Sequence, residues 1–207
     1  MIFKSREHAA EILSDALRSE LPLQDATVVA IPRGGVVVGR RIADRLSLPL
    51  HLLLTKKIGA PGNPELAVGA MTEGGIVYLE KKLIDDLGVS SSYLEKEKDR
   101  LLMKLQERRN AYRLPPFDPA GKTCILVDDG AATGSTIFAA LAELKKRRAK
   151  KSIVALPVAP PETVEKLRKE ADTVYVLTTP SHFQAVGQFF EQWAEVTDQE
   201  VVQLISK

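Results

Sequence analysis

Five short apolar runs, separated by longer stretches of helical period, narrow what this chain can become. The runs are Thr27–Ile31, Leu50–Leu54, Thr123–Val127, Ile153–Val158 and Val174–Leu177. Each is four to six residues long and most are built from Val, Ile and Leu, so they read as strands buried on both faces. Between them, Arg6–Glu20 sets Ala9, Ile12, Leu13, Ala16 and Leu17 on one helical face. Ile137–Arg148 does the same with Ile137, Ala140, Leu141 and Leu144, and Pro161–Ala171 opens with Pro in its first turn. Strands alternating with helices predict an α/β fold, a mostly parallel sheet flanked by helices.

At 207 residues the chain reads as a single domain over 1–207, because domains run to roughly 100–200 residues. Hydrophobic residues make up 44% of it, enough for a core without disulfide or metal staples. The 29 basic and 27 acidic residues leave a net charge of +2, which argues against the long basic face of a dedicated nucleic-acid binder. Cys124 stands alone, so neither a disulfide framework within the chain nor a cysteine zinc site is available. A single cysteine suits a reducing, cytoplasmic compartment. No apolar run approaches the roughly 18 residues of a membrane span. The opening MIFKSREHAAEIL is charged and amphipathic, unlike a secretory leader.

Two segments break the alternation. Lys56–Gly75 holds five Gly and two Pro and reads as a long loop, with a hairpin continuing through Ile76–Leu79. A loop of that length inside a compact domain is usually functional. Ser90–Arg113 reads as a charged helix with Leu94, Leu101, Leu105 and Tyr112 on one stripe, stopped by Pro115 and Pro116.

The stretch from Cys124 to Thr136, CILVDDGAATGST, carries the chemistry. A buried strand ends in two adjacent carboxylates, a loop of small and hydroxyl residues follows, and a helix begins. Parallel sheets bind ligands at the carboxyl ends of their strands. The small residues Gly130, Ala131, Ala132 and Gly134 let backbone N–H groups approach an anion. Thr133, Ser135 and Thr136 add hydroxyl donors, and the helix start adds its positive dipole end. The loop is thus built for a phosphate. Asp128 and Asp129 would repel that phosphate, so they face a vicinal diol, a cation or a developing positive charge. A phosphorylated sugar meets both needs. There is no G-x-x-x-x-G-K-[ST], because the helix start has no Lys, and no G-x-G-x-x-G after the first strand, since Gly34, Gly35 and Gly39 have the wrong spacing.

Val127-Asp-Asp-Gly-Ala-Ala-Thr-Gly-Ser-Thr136 resembles the phosphoribosyl-diphosphate (PRPP) signature of type I phosphoribosyltransferases. The resemblance spans roughly 30–155. It implies that family's fold with a small hood and a mobile loop. It also implies an Mg²⁺-dependent glycosyltransferase that moves the phosphoribosyl group of PRPP to a nitrogen acceptor, usually a nucleobase, and releases diphosphate. Asp128 and Asp129 would hold the ribose hydroxyls, directly or through the shell of Mg²⁺. Gly130, Ala131, Ala132, Thr133, Gly134, Ser135 and Thr136 would hold the 5′-phosphate.

The first strand opens into Ile31-Pro-Arg-Gly-Gly35. An Arg grips diphosphate bidentately and glycines admit a close backbone, although a strand–helix turn with a solvated Arg would look the same. By resemblance this is the diphosphate loop, with Arg33, Gly34 and Gly35 on the ligand and a cis peptide at Pro32–Arg33. Lys56 and Lys57 follow the second strand, either neutralising diphosphate or lying in solvent. The run Lys56-Lys-Ile-Gly-Ala-Pro-Gly-Asn-Pro-Glu65 looks like a subgroup of predicted phosphoribosyltransferases whose acceptor is unassigned.

The hypoxanthine–guanine members carry an Asp just before the Thr-Gly pair. Here Ala132 stands there, which disfavours a 6-oxopurine acceptor and leaves Glu65 or Glu73 as substitute acids. A hood from 90–113 and 180–207 would set base specificity. Within it, Phe183 or Phe189 is placed to stack on a base, and His182 is a lesser candidate. Val186, Phe189, Phe190 and Trp193 also have the spacing of a core helix. The partners expected are PRPP, a small-molecule acceptor and a second copy in a homodimer, with neither membrane nor nucleic acid. A PRPP-binding regulator without transferase activity is the alternative. The basic run Lys145–Lys151 is the one segment suited to nucleic acid, and it equally suits a helix C-terminus.

Overall fold

The structure is a computed structural model and describes residues 1–20 and 24–206. In chain order it contains α1 (Arg6–Glu20), β1 (Ala26–Ala30), α2 (Gly34–Leu46), β2 (Leu50–Leu52), β3 (Thr55–Ala60), β4 (Asn63–Thr72), β5 (Val77–Leu79), α3 (Lys81–Leu87), α4 (Ser91–Ala111), β6 (Thr123–Val127), α5 (Ser135–Lys146), β7 (Lys151–Val158), α6 (Pro161–Glu170), β8 (Thr173–Thr178) and α7 (Asp198–Ile205).

The predicted α/β architecture is present. Five strands lie in the order β2-β1-β6-β7-β8, every neighbouring pair parallel. Alternation along each strand feeds two apolar layers. Val28, Ile125 and Ile153 pack with Leu13, Leu17 and Ile42 of α1 and α2. Val29, Leu126 and Val154 pack on the other face with Leu141, Leu144 and Leu167 of α5 and α6. From β1 the chain moves outward to β2, and from β6 it moves the other way to β7 and β8. The strand order therefore reverses between β1 and β6, where Ala30 pairs with Val127. A crevice opens at such a point.

Residues 56–75 are not a loop. β3 and β4 form an antiparallel hairpin, and β5 pairs with β4 to complete a three-stranded sheet. The glycines that suggest a loop mark close backbone approaches instead. A Cβ on Gly69 would lie 2.3 Å from the Tyr78 carbonyl oxygen, and one on Gly59 would lie 2.7 Å from Pro64 Cα. Pairing shifts register on both sides of Gly59, the kind of bulge where a strand admits Gly and Pro. The small sheet is pinned on α5 by Tyr78 stacked on Phe138 at 4.8 Å. On α4, the Tyr93 hydroxyl donates to the Gly59 carbonyl at 2.9 Å. The stripe on α4 is as expected: Leu94, Leu101 and Leu105, with Tyr112 just beyond, are buried with Ile58 and Val68. Ser90 caps the helix by accepting from Tyr93 N–H at 3.2 Å.

Two further expectations are corrected. The strand from Leu50 stops at Leu52, because Leu53 and Leu54 carry the chain between sheets. Leu53 N–H donates to Ala30 at 3.1 Å, and the Leu54 carbonyl accepts from Glu73 N–H at 3.0 Å. The stretch from His182 to Trp193 is irregular, with a single 3-10 turn over Val186–Phe189. Pairing with the N-terminus extends it: Phe3 N–H donates to Phe189 at 2.8 Å and Glu191 N–H to Phe3 at 2.8 Å. Its aromatics form a third apolar cluster of Phe3, Phe189 and Phe190. Among the described residues, no helix is long and apolar enough to cross a membrane.

Candidate active site

β1 and β6 end side by side, and their extensions meet. After Ile31 the chain passes a cis peptide at Pro32–Arg33. Gly34 and Gly35 do not form a turn ahead of α2; they open the helix itself. The reason lies across the crevice. A Cβ on Gly34 would stand 1.8 Å from Asp129 Oδ2, and one on Gly35 would stand 2.8 Å from Asp128 Oδ1 and 2.9 Å from Asp128 Cα. Larger residues would not leave the acids where they are.

Asp128 Oδ1 accepts the backbone N–H of Asp129 at 2.9 Å. Asp129 Oδ2 accepts from Arg6 Nε at 2.8 Å, and the two side chains are only 15% and 9% exposed. Burial, and then the neighbouring charge of Asp129, push the Asp128 carboxyl well above the usual carboxylate range, while Lys57 pulls it back. Burial also raises Asp129, and the Arg6 guanidinium opposes that rise. Burial thus disfavours a second charge on the pair, and a cation or a hydroxyl-bearing ligand would favour the ionised form.

The following loop has the geometry of an anion cradle. Gly130 sits at φ +155°, and a Cβ there would lie 2.7 Å from Val186 Cγ1 and 2.9 Å from Val158 Cγ1. Gly134, at φ +77°, turns the chain into α5. Ala131 N–H is used, donating to Val158 at 3.0 Å. The N–H groups of residues 132–136 have no acceptor among the described residues. They point from the start of a twelve-residue helix, where a phosphate is favoured. The hydroxyls of Thr133 and Ser135 lie 3.0 Å apart. Thr163 Oγ1 holds the loop by donating to the Ala132 carbonyl at 2.6 Å.

All of this faces one cavity of about 840 Å³, whose lining includes Arg33, Gly34, Lys56, Lys57, Glu65, both acids and residues 130–136. Gly35 lies beneath the acids rather than on the wall. The Arg33 guanidinium is paired with the Glu195 carboxylate. Lys56 has its pKa lowered by burial first, then by Arg108, Lys104, Arg100 and Arg33. Glu65 also borders an adjoining cleft of about 550 Å³ together with Ala132 and Phe183. Phe189 is not on that cleft; it is buried, with the Phe183 ring tilted against it at 5.2 Å. Glu73 is tied to Arg109 at 2.7 Å, and His182 is exposed.

Sequence reasoning missed four contributors. Arg100 and Arg108 of α4 line the cavity, as does Trp193, and Arg6 reaches Asp129 from α1. The four-residue recurrence of Arg100, Lys104 and Arg108 was a visible signal, since it stacks three cations on one helical face. Nothing local marks Arg6 or Trp193.

The donors suit magnesium as a guest rather than a resident. Among the described residues no three His, Cys, Asp or Glu side chains converge into a cage. Two adjacent carboxylates, Asp128 and Asp129, match an ion that is held by one or two carboxylates and keeps several waters.

The fold, with its two acids and small-residue loop where the strand order reverses, defines an α/β protein with a candidate ligand site at the sheet's switch point. The family model for the phosphoribosyl transferase domain matches residues 2–190, and the chain belongs to that family. A Mycobacterium tuberculosis (strain H37Rv) protein with the provisional name phosphoribosyl transferase is 32% identical over 208 aligned residues, covering 100% of this chain and 47% of its own length. The chain thus spans less than half of that relative. Among solved structures, TT1426 of Thermus thermophilus is 40% identical, with a TM-score of 0.82 over 99% of this chain and 98% of its own. AQ2163 of Aquifex aeolicus shares the fold at 15% identity, with a TM-score of 0.53 over 84% of this chain and 72% of its own.

Proposed function

We propose that the chain is a phosphoribosyltransferase that moves the phosphoribosyl group of PRPP to a nitrogen of a small acceptor and releases diphosphate. One observation carries the reading: a cradle of unpaired amides at residues 132–136, an adjacent acid pair and a cationic wall line one cavity. Residues 130–136 bind the 5′-phosphate. Asp128 and Asp129 bind the ribose hydroxyls. Arg33, the amide at Gly34, Lys56 and Lys57 bind the diphosphate, with Arg100 and Arg108 adding charge from α4; Gly35, expected on the diphosphate, is off the wall.

In the reaction the bond between the anomeric carbon and diphosphate oxygen breaks, and its electron pair leaves with diphosphate. The acceptor nitrogen's lone pair forms the new bond, and the proton that nitrogen carried is lost to diphosphate or water. Arg33, Lys56 and Lys57 stabilise the charge growing on the leaving group, and the two carboxylates face the positive charge growing on the sugar. Mg²⁺ held by Asp128 and Asp129, directly or through water, would supply further charge neutralisation of the diphosphate. The cleft beside Glu65, Ala132 and Phe183 takes the acceptor, with Phe183 as the stacking ring and no acid at position 132. A nucleobase other than a 6-oxopurine fits that lining.

Calorimetric titration of PRPP with Mg²⁺ tests the reading. Wild type is expected to bind saturably, and a variant with Asp128→Asn and Asp129→Asn is expected to lose binding. A screen of adenine, orotate and uracil would follow. A well-folded wild type that does not bind PRPP overturns the reading.

A further inference from the structure

The second acid of the motif is not free to choose its own orientation. Asp129 Oδ2 is taken by Arg6 Nε at 2.8 Å, and Gly34 supplies the bare surface on which that oxygen rests. Arg6 is itself held from two sides. Its Nη1 donates to the Ala194 carbonyl at 2.9 Å, and its guanidinium lies 3.7 Å from the centre of the Trp193 ring, within range of a cation–π contact. Trp193 in turn needs Gly187, where a Cβ would sit 2.7 Å from the indole nitrogen. The strap that carries Trp193 is fastened to the N-terminus by Glu191 N–H donating to Phe3 at 2.8 Å and Gln192 N–H donating to Lys4 at 3.0 Å. The fastening ends two residues before Arg6. The fit runs without a break from Gly187 through Trp193 and Arg6 to Asp129 and Gly34.

A simple surface ion pair does not have this form. Exposed pairs contribute little, whereas this arginine is buried, used by two protein acceptors and covered by an aromatic ring. Charge-assisted hydrogen bonds in such surroundings set geometry as well as energy. With Oδ2 occupied, one oxygen of Asp129 remains for a ligand, and Asp128 remains as the acid without a guanidinium.

We infer that Arg6, clamped by Trp193 and the Ala194 carbonyl, is a positioning residue that sets the Asp129 carboxylate for the ribose hydroxyls of PRPP. This inference rests on the transferase reading of the cavity. Its consequence is that segments around residues 6 and 193 take part in forming a site whose recognisable motif lies at residues 127–136.

The test is a double-mutant cycle on the dissociation constant of Mg²⁺·PRPP, measured by calorimetry on the full chain. Arg6→Met is expected to weaken binding about tenfold or more, the range for an interaction with a charged group. Arg6→Lys, which keeps a cation near Asp129, should recover part of the loss. In an Asp129→Asn background, Arg6→Met should cost almost nothing further. A role confined to holding the fold together would cost the same in both backgrounds. Should Arg6→Met fail to fold by circular dichroism, Arg6→Lys and Trp193→Leu run through the same cycle. Wild type that binds while the Arg6 variants bind equally well, or an Arg6 penalty undiminished in the Asp129→Asn background, overturns this inference and leaves the transferase reading intact. Wild type that does not bind removes both.

Discussion

Gly34 and Gly35 offer neighbouring positions at which one added methyl group should produce opposite phenotypes. At Gly34 the new Cβ would meet only side-chain atoms, Asp129 Oδ2 at 1.8 Å and Cγ at 2.6 Å, where ordinary contact starts at 3.4 Å. Side chains yield more readily than backbone, so in Gly34→Ala the Asp129 carboxylate swings off Arg6 and the fold remains. The hydrogen bond lost involves two charged partners and is worth about 1.5–3 kcal/mol. That corresponds to about a 10- to 150-fold weaker dissociation constant for Mg²⁺·PRPP at roughly 1.4 kcal/mol per decade. At Gly35 the Cβ would meet Asp128 Cα at 2.9 Å and the Val127 carbonyl oxygen at 3.1 Å, both backbone. Gly35→Ala must therefore shift a buried strand end, an overpacking that costs about 1–3 kcal/mol, less about 1 kcal/mol for alanine's better helix propensity. Before that offset, the loss lowers the melting temperature by roughly 2–12 °C at about 2–4 °C per kcal/mol for a domain of this size. Calorimetric titration and thermal melts on the two variants give the comparison. The reasoning is refuted by a Gly34→Ala protein that binds within twofold of wild type.

The remaining predictions concern other charges. Arg108→Gln should weaken binding of inorganic diphosphate several-fold, with the difference shrinking as salt screens the cationic wall; equal affinity at low ionic strength would count against a role for α4. Burial pushes the Cys124 thiol up to about 11, so iodoacetamide at pH 8 should label the protein only when it is unfolded, and rapid native labelling rejects the placement. His51 is stacked on Phe117 at 4.1 Å, and burial, then Lys122, holds its pKa below the ordinary value. The folded state thus prefers neutral imidazole. Its contribution is complete above the unfolded value of about 6.5 and is lost as pH falls toward the folded value. Melts at about pH 7.5 and about pH 5.5 should show part of the acid loss disappearing in His51→Gln, and identical losses would remove His51 from the account.

What was legible in the sequence divides along physical lines. The strands of the main sheet announced themselves because both of their faces are buried, which demands continuous Val, Ile and Leu. The loop between the two acids and α5 was equally plain as a candidate anion site, since such a loop needs small residues and a helix start within a few positions. The hairpin of β3 and β4 was hidden by its own composition. Gly59 and Gly69 are there to let backbones touch, and in a single sequence that requirement looks the same as a turn. Phe189 is core, as its spacing suggested, but not on a helix, because spacing among aromatics cannot reveal that Phe3 lies alongside as an extended partner. Arg6 and Trp193 were invisible for a different reason. They lie more than 180 positions apart and matter only once the chain ends are fastened together.

That fastening orders events during synthesis. Every strand of the main sheet exists once Thr178 has been made, and translation proceeds from the N-terminus at roughly 5–20 residues per second. The clamp on Arg6 must wait for Trp193 and Ala194. A nascent chain therefore completes its scaffold before it completes its pocket. A polypeptide cut short of residue 193 would carry every strand and the whole acid-and-phosphate motif while lacking the brace that orients Asp129. Order of synthesis thus separates scaffold from pocket: the strands of the main sheet are complete at Thr178, and the clamp on Arg6 arrives only with residues 193 and 194.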